Sequence, residues 1–494
     1  MELSVQTFST ASFYLVGIKG TGMTALAELL IKLGAKVKGS DVPDTFYTDA
    51  ILKALRISYV EGFREENLDN SVQYVIYSAA YDPATHPELV RARKLGLPIF
   101  SYPEALGILS SLLPSAGICG VHGKTTTTAL AGTLVKTTGF AGCVLAGSAV
   151  SNFGDRSIYF GGQDFFIAET CEYRRHFLHF HPRWIVLTSV EADHLDYFKN
   201  YEDILNAFVE YGVRLPAGGT LIFCADDAGA TEATVRILNS RPDIWAIPYG
   251  LSAEGPYRIY DVKTEPGTTR FRLDGFPLTF SLRIPGQHSV LNATAAIALV
   301  CTIREQLMQE AGESGSCADA IEEALAEGVA AFKGSRRRSE LIGEACGILI
   351  ADDYAHHPTA IQKTLEGFKH FFPHRRLVVD FMSHTYSRTK ALLEDFASSF
   401  TLADTVILHK IYASAREKFD GSITGIDLYK AVQKHKDTVY YFEEVLEALP
   451  FLLEYLKPGD LFLTLGAGDN FRLSQAVYAQ LSEKEKQPCT GGAA

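Results

Sequence analysis

Along the first hundred residues, short apolar runs alternate with stretches that are apolar on one helical face. Phe13–Val16, Ala35–Val37 and Tyr74–Tyr77 read as strands, and Ala25–Leu33 as a helix. Strand, helix, strand in that rhythm builds a parallel sheet. A second block opens near Ser111, with strands at Ser115–Cys119, Phe165–Ala168, Trp184–Leu187 and Leu221–Phe223 and a helix over Ala129–Lys136. It ends near Val329–Lys333. The third block places strands at Ile348–Ile350, Leu377–Val379, Val406–Leu408 and Leu461–Leu465 and reads as doubly wound. Between residues Pro256 and Leu282 the chain alternates without a helical period, which predicts a small antiparallel excursion. The polar, Gly-rich tail Glu483–Ala494 predicts disorder. No repeat of the length used by solenoids is visible.

Length and composition fit this reading. At roughly 150 residues per domain, 494 residues make about three domains. Hydrophobic residues at 47% and charged residues at 21% are globular values, so wholesale disorder is excluded. A net charge of −12 carries no basic footprint, which argues against nucleic-acid binding and leaves any anionic substrate to local charges. The start of the chain shows no cationic leader, and its apolar stretch is broken by Lys19, so neither a signal peptide nor membrane insertion is expected. The 8 cysteines are scattered without a C-x-x-C pair, which fits a reducing cytoplasm better than a disulfide framework or a zinc site.

The stretch Gly120-Val121-His122-Gly123-Lys124-Thr125-Thr126 sets a glycine turn, a lysine and hydroxyls between a strand and a helix. Backbone N–H groups in such a turn converge on phosphate oxygens, a lysine neutralises the terminal phosphates and a threonine hydroxyl ligates Mg²⁺. The pattern is a variant, since Ile118 stands where the usual phosphate loop begins with glycine. A second glycine turn, Gly17, Gly20 and Gly22, joins the first strand to the first helix, and Asp41 follows the next strand. Its spacing is G-x-x-G-x-G, not the nicotinamide or flavin fingerprint, so it reads either as a tight turn or as a diphosphate site.

Further candidates sit at predicted strand ends, where open α/β sheets bind ligands. Glu169 closes one strand, and Asp193-His194 follows another. Together they read as a cation site or as ordinary polar termini. Arg174 and Arg175 lie beside Glu169 and read as substrate contacts or as salt bridges. His288 and Asn292, four apart, share a helix face and read as framing a base or a phosphate, or as core and capping residues. The triplet Arg336–Arg338 reads as a solvated face or as a reach into a nucleotide cleft. Asp352-Asp353-Tyr354-Ala355-His356-His357-Pro358 ends one buried strand, and Ser383-His384-Thr385-Tyr386-Ser387-Arg388 follows its neighbour. Two strand ends so rich in ionisable groups point to a functional crevice.

In this order these motifs resemble the Mur ligases, the ATP-dependent enzymes that build the bacterial peptidoglycan precursor. The resemblance is greatest to the branch that joins L-alanine to UDP-N-acetylmuramate. It implies an α/β protein of three domains. Residues 1–108 would form a Rossmann-like UDP-sugar domain, residues 109–330 a central P-loop ATPase-like parallel sheet, and residues 331–494 a Rossmann-like, doubly wound amino-acid domain. It implies that Gly17, Gly20, Gly22 and Asp41 face the UDP-sugar. Lys124 and Thr125 would serve ATP and one Mg²⁺, Glu169 and His194 a second Mg²⁺, and His288, Asn292 and Arg337 would contact ATP. Tyr354, His356 and Arg388 would orient L-alanine, with His356 as the base for its amine. Closure is expected about junctions near residues 105–112 and 325–335.

Two departures from the family pattern are Met382-Ser383 where Gln-Pro is usual and Ala355 where glycine is usual. A rival assignment is the sister ligase that attaches a murein tripeptide to the same UDP-sugar. A phosphate-loop motor or binding protein fits less well, since it needs no amino-acid site, and the glycine spacing disfavours a nicotinamide oxidoreductase.

Overall fold

The computed structural model describes residues 10–193, 197–312, 317–413, 417, 419 and 421–486, with the side chains of 317–320 left aside. The first sheet contains β1 (Ser12–Val16), β2 (Lys36–Asp41), β3 (Ser58–Glu61), β4 (Tyr74–Tyr77) and β5 (Ile99–Ser101), in the order β3-β2-β1-β4-β5. All its pairs are parallel. The strand order reverses between β1 and β4, so the glycine turn after β1 stands at the switch point where such sheets take ligands. The first helix covers Thr21–Lys32, four residues ahead of the expected start, because Gly20 ends the turn and no β-branched run delays helix formation.

The second sheet contains β6 (Ser115–Cys119), β7 (Gly142–Val150), β8 (Arg156–Phe160), β9 (Phe165–Glu169), β10 (Trp184–Leu187), β11 (Thr220–Cys224) and β12 (Trp245–Tyr249). Their order is β12-β11-β10-β6-β9-β7-β8. Only the edge pair β7/β8 is antiparallel. Strands β6 and β10 are buried along their whole length, as expected where helices cover both faces of a parallel sheet. The β6 backbone ends between β9 and β10, placing the phosphate loop at the centre of the sheet.

These two sheets share one apolar core. Leu26, Leu29, Leu30 and Leu109 from the N-terminal part pack in the same cluster as Cys143, Leu145, Phe166 and Phe180. Arg156 adds an ion pair to the largely buried Glu28 at 2.9 Å. The expected junction near residues 105–112 therefore falls inside a helix, Tyr102–Leu112, whose first turn is fixed by a capping box between Ser101 and Glu104. A side chain at Gly107 would collide with the His179 carbonyl at 2.3 Å, so this helix is seated, not free.

The expected excursion is a small sheet of β13 (Ile259–Glu265), β14 (Thr268–Leu273) and β15 (Thr279–Leu282) in sequential order. The last sheet contains β16 (Glu340–Ala345), β17 (Ile348–Asp353), β18 (Arg376–Met382), β19 (Thr405–Leu408), β20 (Val439–Tyr441) and β21 (Asp460–Gly466), ordered β16-β17-β21-β18-β19-β20. It is parallel except for the edge strand β16. Its two faces carry separate apolar clusters, one around Phe381, Phe396 and Leu463 and one around Ile350, Phe462 and Leu473.

By internal packing the chain divides into two compact units. One comprises Met1–Asp261, Phe271–Phe280 and Leu291–Phe332, and the other Val262–Arg270, Ser281–Val290 and Lys333–Ala494. The expected junction at 325–335 brackets the last boundary. The helix Gln287–Glu310 is long and apolar enough to cross a membrane, but 72% of its most apolar stretch is buried, as in a core helix. The tail departs from expectation, because the last helix, Phe471–Lys486, runs through Glu483–Lys486. Its buried face, Leu473, Val477 and Leu481, carries the helix into the first residues of the polar segment. Residues 487–494 lie outside the described part.

Candidate active site

Gly120 and Gly123 both adopt positive φ, +133° and +81°, and the helix Lys124–Thr138 starts directly behind them. Neither position tolerates a side chain. A Cβ on Gly120 would lie 2.1 Å from Thr188 Oγ1, and one on Gly123 would lie 2.5 Å from Asn292 Oδ1. The loop is anchored from β10. The Val121 N–H donates to the Ser189 carbonyl at 3.0 Å, the His122 N–H donates to Ser189 Oγ at 3.0 Å, and Thr188 Oγ1 donates to the His122 carbonyl at 2.5 Å. Gly123 cups the helix N-terminus with no side-chain cap, which leaves backbone N–H groups for an anion.

Lys124 lies mostly buried against Glu172, which is 1% exposed, with Nζ 3.0 Å from Oε2 and 2.5 Å from the Gly120 carbonyl. Burial alone would depress the ammonium, but the Glu172 carboxylate outweighs it and holds the pKa above the usual lysine value. Glu172 is the partner that sequence reasoning missed, although it stands three residues beyond Glu169 and two before Arg174. Glu169 itself accepts the Gly147 N–H at 2.9 Å, and a Cβ on Gly147 would sit 2.3 Å from the same oxygen. Tyr102, raised in pKa by burial and then by the Glu169 charge, lies against Gly22, where a Cβ would approach its ring carbon at 3.0 Å. Thr125 is buried at the start of the same helix, and Asn292 accepts from Thr127 Oγ1 at 3.3 Å. His194 lies outside the described residues. Among the described residues no three His, Cys, Asp or Glu side chains gather as a metal cluster.

At the first glycine turn, Gly17 has φ +82° and faces Tyr81, whose ring would stand 2.7 Å from a Cβ. Asp41 is buried, and its oxygens accept the backbone N–H groups of Lys19 at 2.6 Å and Val42 at 2.8 Å. As placed, Asp41 shapes the turn. Lys19, 1% exposed, was read only as a break in an apolar stretch. Its ammonium donates to Glu61 at 2.8 Å and to the Val42 and Asp44 carbonyls at 3.0 Å.

In the second unit, Arg337 spends its guanidinium on the protein itself. It donates to Asp352 at 3.1 Å, the Gly468 carbonyl at 2.9 Å and the Gly466 carbonyl at 2.6 Å, and it stacks between Tyr354 and Phe471. Burial raises the Asp352 carboxyl to about 6 against the pull of Arg337. Asp353 accepts from the backbone N–H groups of Ser339 at 2.6 Å and Ala355 at 2.8 Å. Both aspartates therefore shape the β17 end. His356 Nδ1 lies 2.9 Å from the Tyr354 carbonyl, and its ring lies 6.1 Å from that of His384, which stacks on Tyr412 at 5.9 Å. Arg388 is half-buried on the short helix Tyr386–Ala391, whose N-terminus is capped by Glu417 at 2.6 Å from the Tyr386 N–H. His288 is exposed at the helix start beside Gly286.

Three family models match in order: the Mur ligase family catalytic domain over residues 12–112, the Mur ligase middle domain over 118–300 and the Mur ligase glutamate ligase domain over 337–468. The UDP-N-acetylmuramate–L-alanine ligase of Treponema pallidum is 51% identical over 96% of this chain and 98% of its own. The chain belongs to the Mur ligase family. A solved UDP-N-acetylmuramate–alanine ligase from Thermotoga maritima overlays this Mur ligase with a TM-score of 0.76 at 24% identity, covering 96% of this chain and 100% of that one. A murein peptide ligase from Psychrobacter arcticus follows with a TM-score of 0.62 at 22% identity, covering 98% and 100%. Both show the fold. In this Mur ligase the Met382-Ser383 departure is absorbed by packing. Met382 is fully buried beneath Gly468, which admits no side chain there, and Ser383 Oγ bonds Thr389 Oγ1 at 2.5 Å.

Proposed function

We propose that this Mur ligase joins L-alanine to the lactyl carboxylate of UDP-N-acetylmuramate at the expense of ATP, releasing ADP and phosphate. The observation that carries this reading is the extent of the match to a ligase named for that reaction, 51% identity over 96% of the chain, together with an anchored phosphate loop. Relatives of the same name at 39% identity cover 95% of the chain. The murein peptide ligase resembles it only in fold.

A carboxylate is a poor electrophile until one oxygen becomes a leaving group. The lactyl carboxylate attacks the γ-phosphorus of ATP, the bond to the ADP oxygen breaks, and an acyl phosphate results. The neutral amine of L-alanine then adds to the acyl carbon, and phosphate leaves with the C–O bond. In this reading the N–H groups behind Gly123 hold the ATP phosphates, with His122 and Thr126 in the same turn. Lys124 turns its ammonium to the terminal phosphate, and Asn292 braces the loop. Gly17, Gly20 and Gly22 admit the diphosphate of the sugar nucleotide at an uncapped helix start.

Thr125 would hold one Mg²⁺, and Glu169, with His194, a second. A hydroxyl at one and a carboxylate at the other suit a cation that takes few protein ligands beside phosphate oxygens. These cations supply positive charge for the transferring phosphoryl group. His356 takes the proton of the alanine ammonium, Arg388 pairs with its carboxylate and Tyr354 flanks it. His288 and Arg337 would contact ATP, the latter by exchanging its present acceptors. We assign residues 1–108 to the UDP-sugar, 109–330 to ATP and 331–494 to the amino acid, in the cytoplasm. The test is phosphate release from ATP with UDP-N-acetylmuramate and L-alanine, L-serine, glycine or the murein tripeptide. Release with the tripeptide alone would move the assignment to the sister ligase.

A further inference from the structure

The second unit carries a buried polar network that none of these roles uses. Asp380 interrupts the apolar strand β18, His409 follows β19 and Asn470 follows β21, and none is more than 1% exposed. His409 Nε2 lies 2.6 Å from Asp380 Oδ2, and His409 Nδ1 lies 3.0 Å from the Phe442 carbonyl. A carbonyl only accepts, so Nδ1 carries a hydrogen and a second proton is shared along the 2.6 Å contact. Asn470 Nδ2 donates to Asp380 Oδ1 at 2.8 Å and to the Leu465 carbonyl at 2.9 Å. Burial disfavours the imidazolium, yet the Asp380 carboxylate outweighs it and raises the His409 pKa. Each buried ion costs several kcal/mol of lost hydration, and hydrocarbon of the same volume is often as stable or more so. Stability is therefore a poor reason for this network.

Its position offers a better one. The three residues tie together the ends of β18, β19 and β21, the backbones that continue into the crevice. Two residues beyond Asp380, Met382 leads to Ser383 and His384, and three beyond His409 stands Tyr412. The Tyr412 N–H donates to the Ser383 carbonyl, and the Thr385 N–H donates to the Tyr412 carbonyl, both at 2.9 Å. Beyond β21, a Cβ on Gly466 would collide with the Met382 carbonyl at 2.4 Å, so these strand ends are already in contact. Sliding one strand end moves His384, Tyr412 and the helix of Arg388 together.

We propose that the Asp380–His409–Asn470 network is the positioning element of the amino-acid site, setting the spacing of the strand ends that carry His384 and Tyr412 into the crevice and present Arg388 to L-alanine. This rests on the reading of the crevice as the amino-acid site. The test compares steady-state kinetics of the full chain with Asp380→Leu/His409→Phe/Asn470→Leu and, should that triple variant not fold, with Asp380→Asn. The triple variant is expected to keep its Tm within about 5 °C of the parent. Its KM for L-alanine should rise about tenfold or more, with KM for ATP and UDP-N-acetylmuramate unchanged. Asp380→Asn, which keeps the shape and loses the charge, should show a smaller rise of the same selectivity. An unchanged alanine KM in a folded variant, or an equal rise for all three substrates, overturns the proposal. If the parent protein itself releases no alanine-dependent phosphate, the functional reading falls and the network's role falls with it. Alanine-dependent release by the parent with an indifferent variant sinks the network alone.

Discussion

Around Lys124, nearly all the useful groups come from one stretch of seven residues, Gly120 to Thr126, and most of them are backbone. In the C-terminal crevice they come from the ends of β17, β18, β19 and β21, and most are side chains. The difference lies in what holds each site. The phosphate loop is shaped by glycines that no other residue can replace and is pinned by two hydroxyls, Thr188 and Ser189. The crevice has no such local device and is held by buried polar pairs: Arg337 with Asp352, Asp353 with the Ser339 and Ala355 N–H groups, and Asp380 with His409. A loop made of backbone fails all at once when its one charged side chain goes. A crevice made of side chains loses its functions one at a time.

The largest effect is expected at the loop. Lys124→Ala should lower turnover by about a thousandfold or more, since a charge aimed at the transferring phosphoryl group is lost. It also strands the buried Glu172 carboxylate at a cost of about 3–5 kcal/mol. Lys124→Ala/Glu172→Gln should therefore recover the melting temperature and none of the activity. Recovery of both would mean that Lys124 serves only as a buried partner. Next comes His356→Ala, expected to reduce kcat/KM for L-alanine about a hundredfold while leaving KM for ATP alone. Unchanged alanine kinetics would remove His356 as the base.

A smaller effect is expected from Gly147→Ala. The added methyl meets the mobile end of Glu169, so the fold should hold while the carboxylate is displaced. The Mg²⁺ concentration for half-maximal activity should rise about tenfold, read by titrating the metal at fixed ATP. A flat response would detach Glu169 from the cation.

The smallest concerns pH. Asp352 is raised by burial from 3.8 to about 6, so between those values the folded protein binds more protons than the unfolded chain. Stability from this group is fullest at the acid end and is lost as pH rises through about 6. Asp352→Asn should remove that slope, so that the parent's melting temperature falls by a few degrees relative to the variant between pH 4 and 6. Parallel curves would show that Asp352 does not titrate there.

How much of this was legible in the chain follows from where partners lie. The loop from Gly120 to Thr126 was readable because its parts are adjacent and each residue type has one backbone purpose. Asp352 and Asp353 were readable as members of a polar strand end, but their partners were not. In the fold their oxygens accept from Arg337, Thr464, Ser339 and Ala355. The buried pairing of Lys19 was not readable because its acceptors, Val42, Asp44 and Glu61, lie 23 to 42 residues away. The one local hint of the Asp380 network was a charge inside an apolar strand, and its partners are 29 and 90 residues distant. The start of the tail, Glu483–Lys486, extends a helix whose upstream face, Leu473, Val477 and Leu481, is buried, which polar composition alone does not reveal.

Apolar periodicity alone determined the alternation of strands and helices, the parallel sheets and the turns that glycine makes possible. These depend on forces acting within a few residues. Which carboxylates hold the fold, and through which partners, was decided only by tertiary structure. A buried charge takes its role from the partner that compensates it, and topology alone chooses that partner.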